Sequence, residues 1–108
     1  MYSINYLLEK FTNAVYDLAT GERDARARVG QAYYRFWTIP LEDYPKPLHE
    51  RRKEIDKLLT RLGGREGHII RDNLIRMKNK TASRIATIIL EIYFELEKMH
   101  QRSTNKAN

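Results

Sequence analysis

Apolar residues return along this chain at helical intervals. Ile4, Leu8, Phe11, Val15 and Leu18 follow spacings of 4, 3, 4 and 3, with Leu7 and Ala14 widening the stripe, which predicts one buried helical face. Ser3 is placed to cap that helix with its hydroxyl, and Gly21 to close it in the left-handed conformation. A second helix is expected over residues 22–38, entered through Glu22 and Asp24, with Ala25, Val29, Ala32, Tyr33 and Phe36 inward. It should stop where Pro40 disfavours helical geometry at Ile39. Gly30 in its interior costs about 1 kcal/mol relative to alanine, so it predicts close approach of another helix.

Residues 40–47 hold the three prolines and form a stiff connection, with Leu41 and Tyr44 expected to fold back over one end of the core. A third helix is expected over residues 47–62, with Leu48, Ile55, Leu59 and Leu62 inward and Gly63 and Gly64 as its stop. Residues 68–100 keep an apolar stripe through Ile70, Leu74, Met77, Thr81, Ile85, Ile88, Ile92, Leu96 and Met99. They form either one helix of about 50 Å, which must overhang or bend, or two helices with Asn79 or Thr81 capping the second. No strand-like alternation and no repeat interrupts this pattern. The expected fold is therefore all-α: an antiparallel four-helix bundle, or a five-helix variant if the last helix breaks near residues 79–81. Leu8, Phe11, Val15, Val29, Phe36, Ile55, Leu59, Ile85, Ile88 and Ile92 should be among the most buried residues.

A chain of 108 residues suits one core, placed here at residues 1–100, and a polar tail at 101–108, with Ala107 its one apolar residue, is expected to fray. There is no cysteine, which removes disulfides, a thiolate nucleophile and Cys-ligated zinc, and which suits a cytoplasmic location. Neither a secretory leader nor a membrane span is expected, because the most apolar stretch, 85–94, contains Thr87 and Glu91.

Candidate chemistry is sparse. His49-Glu50 opens like a zincin helix, but Lys53 stands where the second histidine must be, and Glu97-x-x-His100 has no second copy to complete a di-iron site. No metal or other cofactor is expected. Ser3, Ser83 and Ser103 lack a nucleophile turn. Arg61 lies seven residues before His68, a spacing met in helical metal-independent ribonucleases, but three glycines separate the two, and twelve arginines make such a match expected by chance. An enzyme is thus the third reading. The glycine loop at 62–68 lacks the Walker spacing, although free amides beside Arg65 and His68 offer a place for one anion.

Charge distribution carries more information. The net charge is +6, yet residues 51–84 alone hold 11 Lys and Arg against four acids, while the other 74 residues hold nine against ten. Lys53, Lys57 and Arg61 form one i, i+4, i+8 stripe and Arg76, Lys80 and Arg84 another, on either side of a loop that contains Arg65. A solvated outer face would look the same, but two stripes of one sign also suit phosphates or an acidic protein surface. Tyr33-Tyr34-Arg35-Phe36-Trp37 cannot all be core, since five consecutive helical residues point almost all round the axis. The proline-rich connection is expected to cover the outer rings; otherwise Tyr34 and Trp37 anchor a partner. The leading expectation is a non-enzymatic binding module that meets nucleic-acid backbone through its third and fourth helices. The alternative is a protein-protein adaptor using the aromatic cluster, with homo-oligomerisation open.

Overall fold

The computed structural model describes residues 3–106, with side chains described for residues 3–104. Among the described residues five α-helices follow in order: α1 (Ile4–Thr20), α2 (Ala25–Tyr33), α3 (His49–Thr60), α4 (Ile69–Arg76) and α5 (Asn79–Lys106), with two short 3-10 turns at Leu41–Asp43 and Lys46–Leu48. The described residues contain no strand. α5 packs against α1, α2 and α3, whereas α4 fits between α2 and α3.

Ser3 caps α1 as expected, its Oγ accepting from the Tyr6 amide at 3.1 Å. Gly21 ends the helix differently from expectation: its φ of -59° is not left-handed. The position is small because it is crowded, as a Cβ there would overlap Arg28 Cγ and lie 2.9 Å from the Asp17 carbonyl oxygen. The stripe of α1 is also rotated. Leu7, Phe11 and Ala14 are fully buried, while Leu8 and Val15 are only half-buried, because a helix wedged between α2 and α5 buries the sector facing both.

α2 starts later and ends earlier than expected. Asp24 caps it, accepting from the Ala27 amide at 3.0 Å, so Glu22 stays outside. Beyond Tyr33 the chain tightens, with Arg35, Phe36 and Ile39 each donating to the carbonyl three residues back at 3.1 Å. A repeat of three places side chains at i and i+3 on one side. Tyr33, Phe36 and Ile39 consequently enter the core and Tyr34 and Trp37 face out. Phe36 stacks on Phe11 at 4.4 Å between ring centroids, and Tyr44 from the proline connection meets Phe11 edge-on at 6.1 Å.

In α3 the core positions are Leu48, just ahead of it, Ile55 and Leu59, but Leu62 is 39% exposed rather than inward, because α3 has already ended at Thr60. Between Leu48 and Ile55 the seam is filled by Arg52, only 4% exposed. The last segment is two helices: Met77 adopts an extended backbone (φ -69°, ψ 153°) and α5 restarts at Asn79, with the Thr81 and Ala82 amides both donating to the Lys78 carbonyl. Met77, Thr81, Ile85, Ile88, Ile92 and Leu96 are all buried, so the stripe crosses the break intact. The residues expected to fray are helical through Lys106, although every described side chain from Gln101 onward is exposed, and residues 107–108 lie outside the described residues. At about 1.5 Å per residue α5 is near 42 Å long, so its last turns project past the core. Among the described residues no helix is long and apolar enough to cross a membrane.

Candidate functional site

The ends of three helices converge at one corner. Arg61, at the end of α3, donates from Nη2 to Thr81 Oγ1 in the first turn of α5 at 3.0 Å, and Arg76, at the end of α4, donates from Nη1 to the Leu62 carbonyl at 3.1 Å. Both guanidiniums therefore sit on neutral oxygens. Lys80 flanks Thr81 and Lys78 stands at the α4–α5 turn, both exposed, and Lys57 lies one helical turn before Arg61. The two expected stripes thus meet differently from the sequence pattern. The break at Met77 puts Arg76 on a different helix from Lys80 and Arg84, so the second stripe is not continuous.

Ion pairing divides the eleven cations of residues 51–84. Arg84 forks onto Glu54 of α3 at 3.1 Å, Arg51 reaches Glu91 at 3.6 Å, Lys53 pairs with Glu50 at 2.9 Å, Arg65 with Asp72 at 2.7 Å and Arg52 with Asp56 at 2.6 Å. The Arg51–Glu91, Glu54–Arg84 and Arg61–Thr81 contacts also show α3 and α5 running antiparallel. Among the described residues, Lys57, Arg61, Arg71, Arg76, Lys78 and Lys80 have no carboxylate within 4 Å, and of the four acids in this stretch only Glu66 is unpaired.

The glycine loop already holds an anion of its own. Asp72 accepts from the Arg65 amide, Nε and Nη2 at 2.7 to 3.0 Å, and these bonds hold its carboxyl well below the usual carboxylate range. Arg65 and the loop amide beside it are thereby committed. Fully buried Asn73 ties the loop down from inside, donating to the Gly63 and Ile69 carbonyls and accepting from the Leu62 amide. Gly63 and Gly67 take positive φ values of 68° and 78°, which side-chain-bearing residues rarely adopt.

Tyr34 and Trp37 are 52% and 51% exposed, so the proline connection does not cover them; it sends Tyr44 into the core instead. The two rings meet edge-to-face at 5.8 Å and form one wall of an open groove whose other wall is His68, Ile69, Ile70 and Arg71 at the start of α4. Sequence pattern counted Arg71 among the cations without singling it out, and Ile69 gave no signal, because both depend on how α4 folds back on α2.

The histidines are dispersed. His49 Nε2 lies 2.8 Å from the Tyr44 carbonyl oxygen, and Glu97 accepts from Tyr93 Oη at 2.7 Å. Arg61 turns to Thr81. Among the described residues no three His, Asp or Glu side chains converge on a point where a metal ion would sit. Comparison with protein-family models, curated proteins and solved structures finds no match to this chain.

Proposed function

We propose that this protein is a non-enzymatic helical module that binds nucleic-acid backbone at the corner where α3, α4 and α5 meet. The observation that carries the reading is the residual charge after internal pairing: among the described residues, six exposed cations and one acid remain unpaired between residues 51 and 84. A merely solvated face gains little from gathering like charges, whereas a phosphate backbone releases counterions for each cation that meets it. Arg61 and Arg76 support this because their bonds to a hydroxyl and a carbonyl orient them without neutralising them. The first-turn amides of α5 add the positive end of a long helix dipole at the same corner.

Replacing Arg61, Arg76 and Lys80 together by glutamine should weaken binding about equally for unrelated sequences and flatten log K against log salt by roughly 2 to 3. A control triple at Lys10, Lys98 and Arg102 should do much less. Fluorescence-anisotropy titrations at several salt concentrations decide it, and an unmutated protein that binds no oligonucleotide at low salt ends the proposal. The competing reading is a protein-contact subunit using Tyr34 and Trp37. It expects Trp37→Ala to abolish self-association in sedimentation runs with little loss in thermal stability.

A further inference from the structure

Trp37 and Tyr34 leave the core by the tight turns after α2, and α4 carries the opposite wall of their groove back toward the basic corner. The groove has a volume of about 410 Å³, and its seven lining residues include no carboxylate. Its one formal cation is Arg71, exposed and without a carboxylate within 4 Å among the described residues. Arg71 and Arg76 are five residues apart on α4, which at about 1.5 Å per residue separates them by roughly 7 to 8 Å along the axis. An aromatic platform therefore has a free guanidinium beside it, and because five residues also turn about 140° round the axis, Arg76 leaves a different side of α4, so a strand reaching the corner must cross that helix.

We propose, resting on the backbone-binding reading above, that the ligand is single-stranded nucleic acid, with unpaired bases stacked one on each of the perpendicular Trp37 and Tyr34 rings and the backbone held by Arg71 before it crosses α4 toward the corner. In a duplex the base faces are already occupied by neighbouring bases, so an exposed aromatic side chain has no face to stack on unless the strand is open. A protein partner would more often bring acids or mixed charge to such a groove, whereas a stacked base with a phosphate on either side matches aromatic rings next to an unpaired arginine. Stacking is tolerant of sequence because every base has a π face, so little base preference is expected.

Trp37 is the chain's single tryptophan, so its emission reports on this groove alone. The full-length protein should be titrated with a thymidine oligonucleotide and, separately, with a blunt duplex, following tryptophan emission and anisotropy together. The expected result is saturable quenching by the single strand, with the duplex bound more weakly and without quenching. Tyr34→Ala should lower single-strand affinity roughly 5- to 150-fold and leave duplex affinity unchanged. Trp37→Phe, which keeps a ring, should retain most of the single-strand affinity, and thermal melts of both variants check that they fold. Salt-sensitive binding of the single strand without quenching, or an equal loss for both nucleic acids in Tyr34→Ala, overturns this inference and leaves the basic corner standing. Absence of any binding overturns both, and a dimer lost in Trp37→Ala then assigns the groove to a second copy of the chain.

Discussion

Arg52 shows what a single residue contributes here. By sequence it is one of eleven cations in a basic stretch, yet it is buried, with its guanidinium carbon 5.1 to 5.6 Å from the centroids of the Tyr33, Phe36 and Tyr44 rings. Nε donates to Tyr44 Oη at 3.1 Å and Nη1 to Asp56 Oδ1, which also accepts from Tyr33 Oη. Its planar fork lets one side chain stack and bond at once, which lysine cannot reproduce. Arg52→Ala should cost about 2 to 4 kcal/mol in a denaturant titration, since it empties a packed site among three rings and leaves the buried Tyr44 hydroxyl unmet, and Arg52→Lys should recover little of it. The same cluster predicts an alkaline limit. Burial pushes the Tyr44 hydroxyl up to about 12, against the lowering influence of Arg52, and also raises Tyr33. Above pH ~10 the unfolded chain loses these protons while the folded chain keeps them, so the stability they contribute is intact below about 10 and falls as pH climbs toward about 12. Melts across that range should show the fall, and Tyr44→Phe should flatten it.

At the level of elements, the contact between α2 and α4 sets the outcome of one substitution. Gly30 is buried, and a Cβ there would approach Leu74 Cδ1 of α4 to 2.9 Å. The expected close approach is thus real, but it is to the tip of a flexible side chain rather than to backbone. Gly30→Ala should therefore stay within about 1 kcal/mol of the parent, because the gain in helix propensity offsets the displacement of Leu74. Gly30→Leu should lower the melting temperature sharply, since Leu74 cannot make room for a branched side chain. Arg26 of α2, which donates to the Ile75 carbonyl of α4 at 2.9 Å, keeps the two helices in register for this comparison.

For the molecule as a whole, the pairing pattern governs how much charge faces a partner. Glu54 holds Arg84 across the α3–α5 seam, with side chains 39% and 50% exposed, so the pair adds well under 1 kcal/mol to stability. Glu54→Gln should leave the melting temperature nearly unchanged yet release Arg84 toward the basic corner. Oligonucleotide affinity should rise, and the slope of log K against log salt should steepen by about 0.7 to 0.9. Unchanged affinity in anisotropy titrations would mean that Arg84 stands outside the binding face.

The all-α fold, the cap at Ser3, the acidic entry into α2 at Asp24 and the inward run from Ile85 to Leu96 follow from local chemistry, because helical periodicity and capping depend on residues within a turn or two of each other, whereas α3 ends at Thr60, ahead of the stop expected at Gly63. The break at Met77 was legible only as an alternative, since the apolar stripe passes through it without a fault. What decided it is that α4 has to fold back to fill the space between α2 and α3. The same limit applies to the candidate site. Its cations were readable as a dense charged stretch, but which of them remain free depends on partners such as Glu54, Asp72 and Glu91, and two of these three lie on a different helix from the cation they hold. Arg52 in the core, Leu62 at the surface and Trp37 beside Arg71 likewise follow from packing between elements distant in the chain, because burial and ion pairing are properties of neighbours in space.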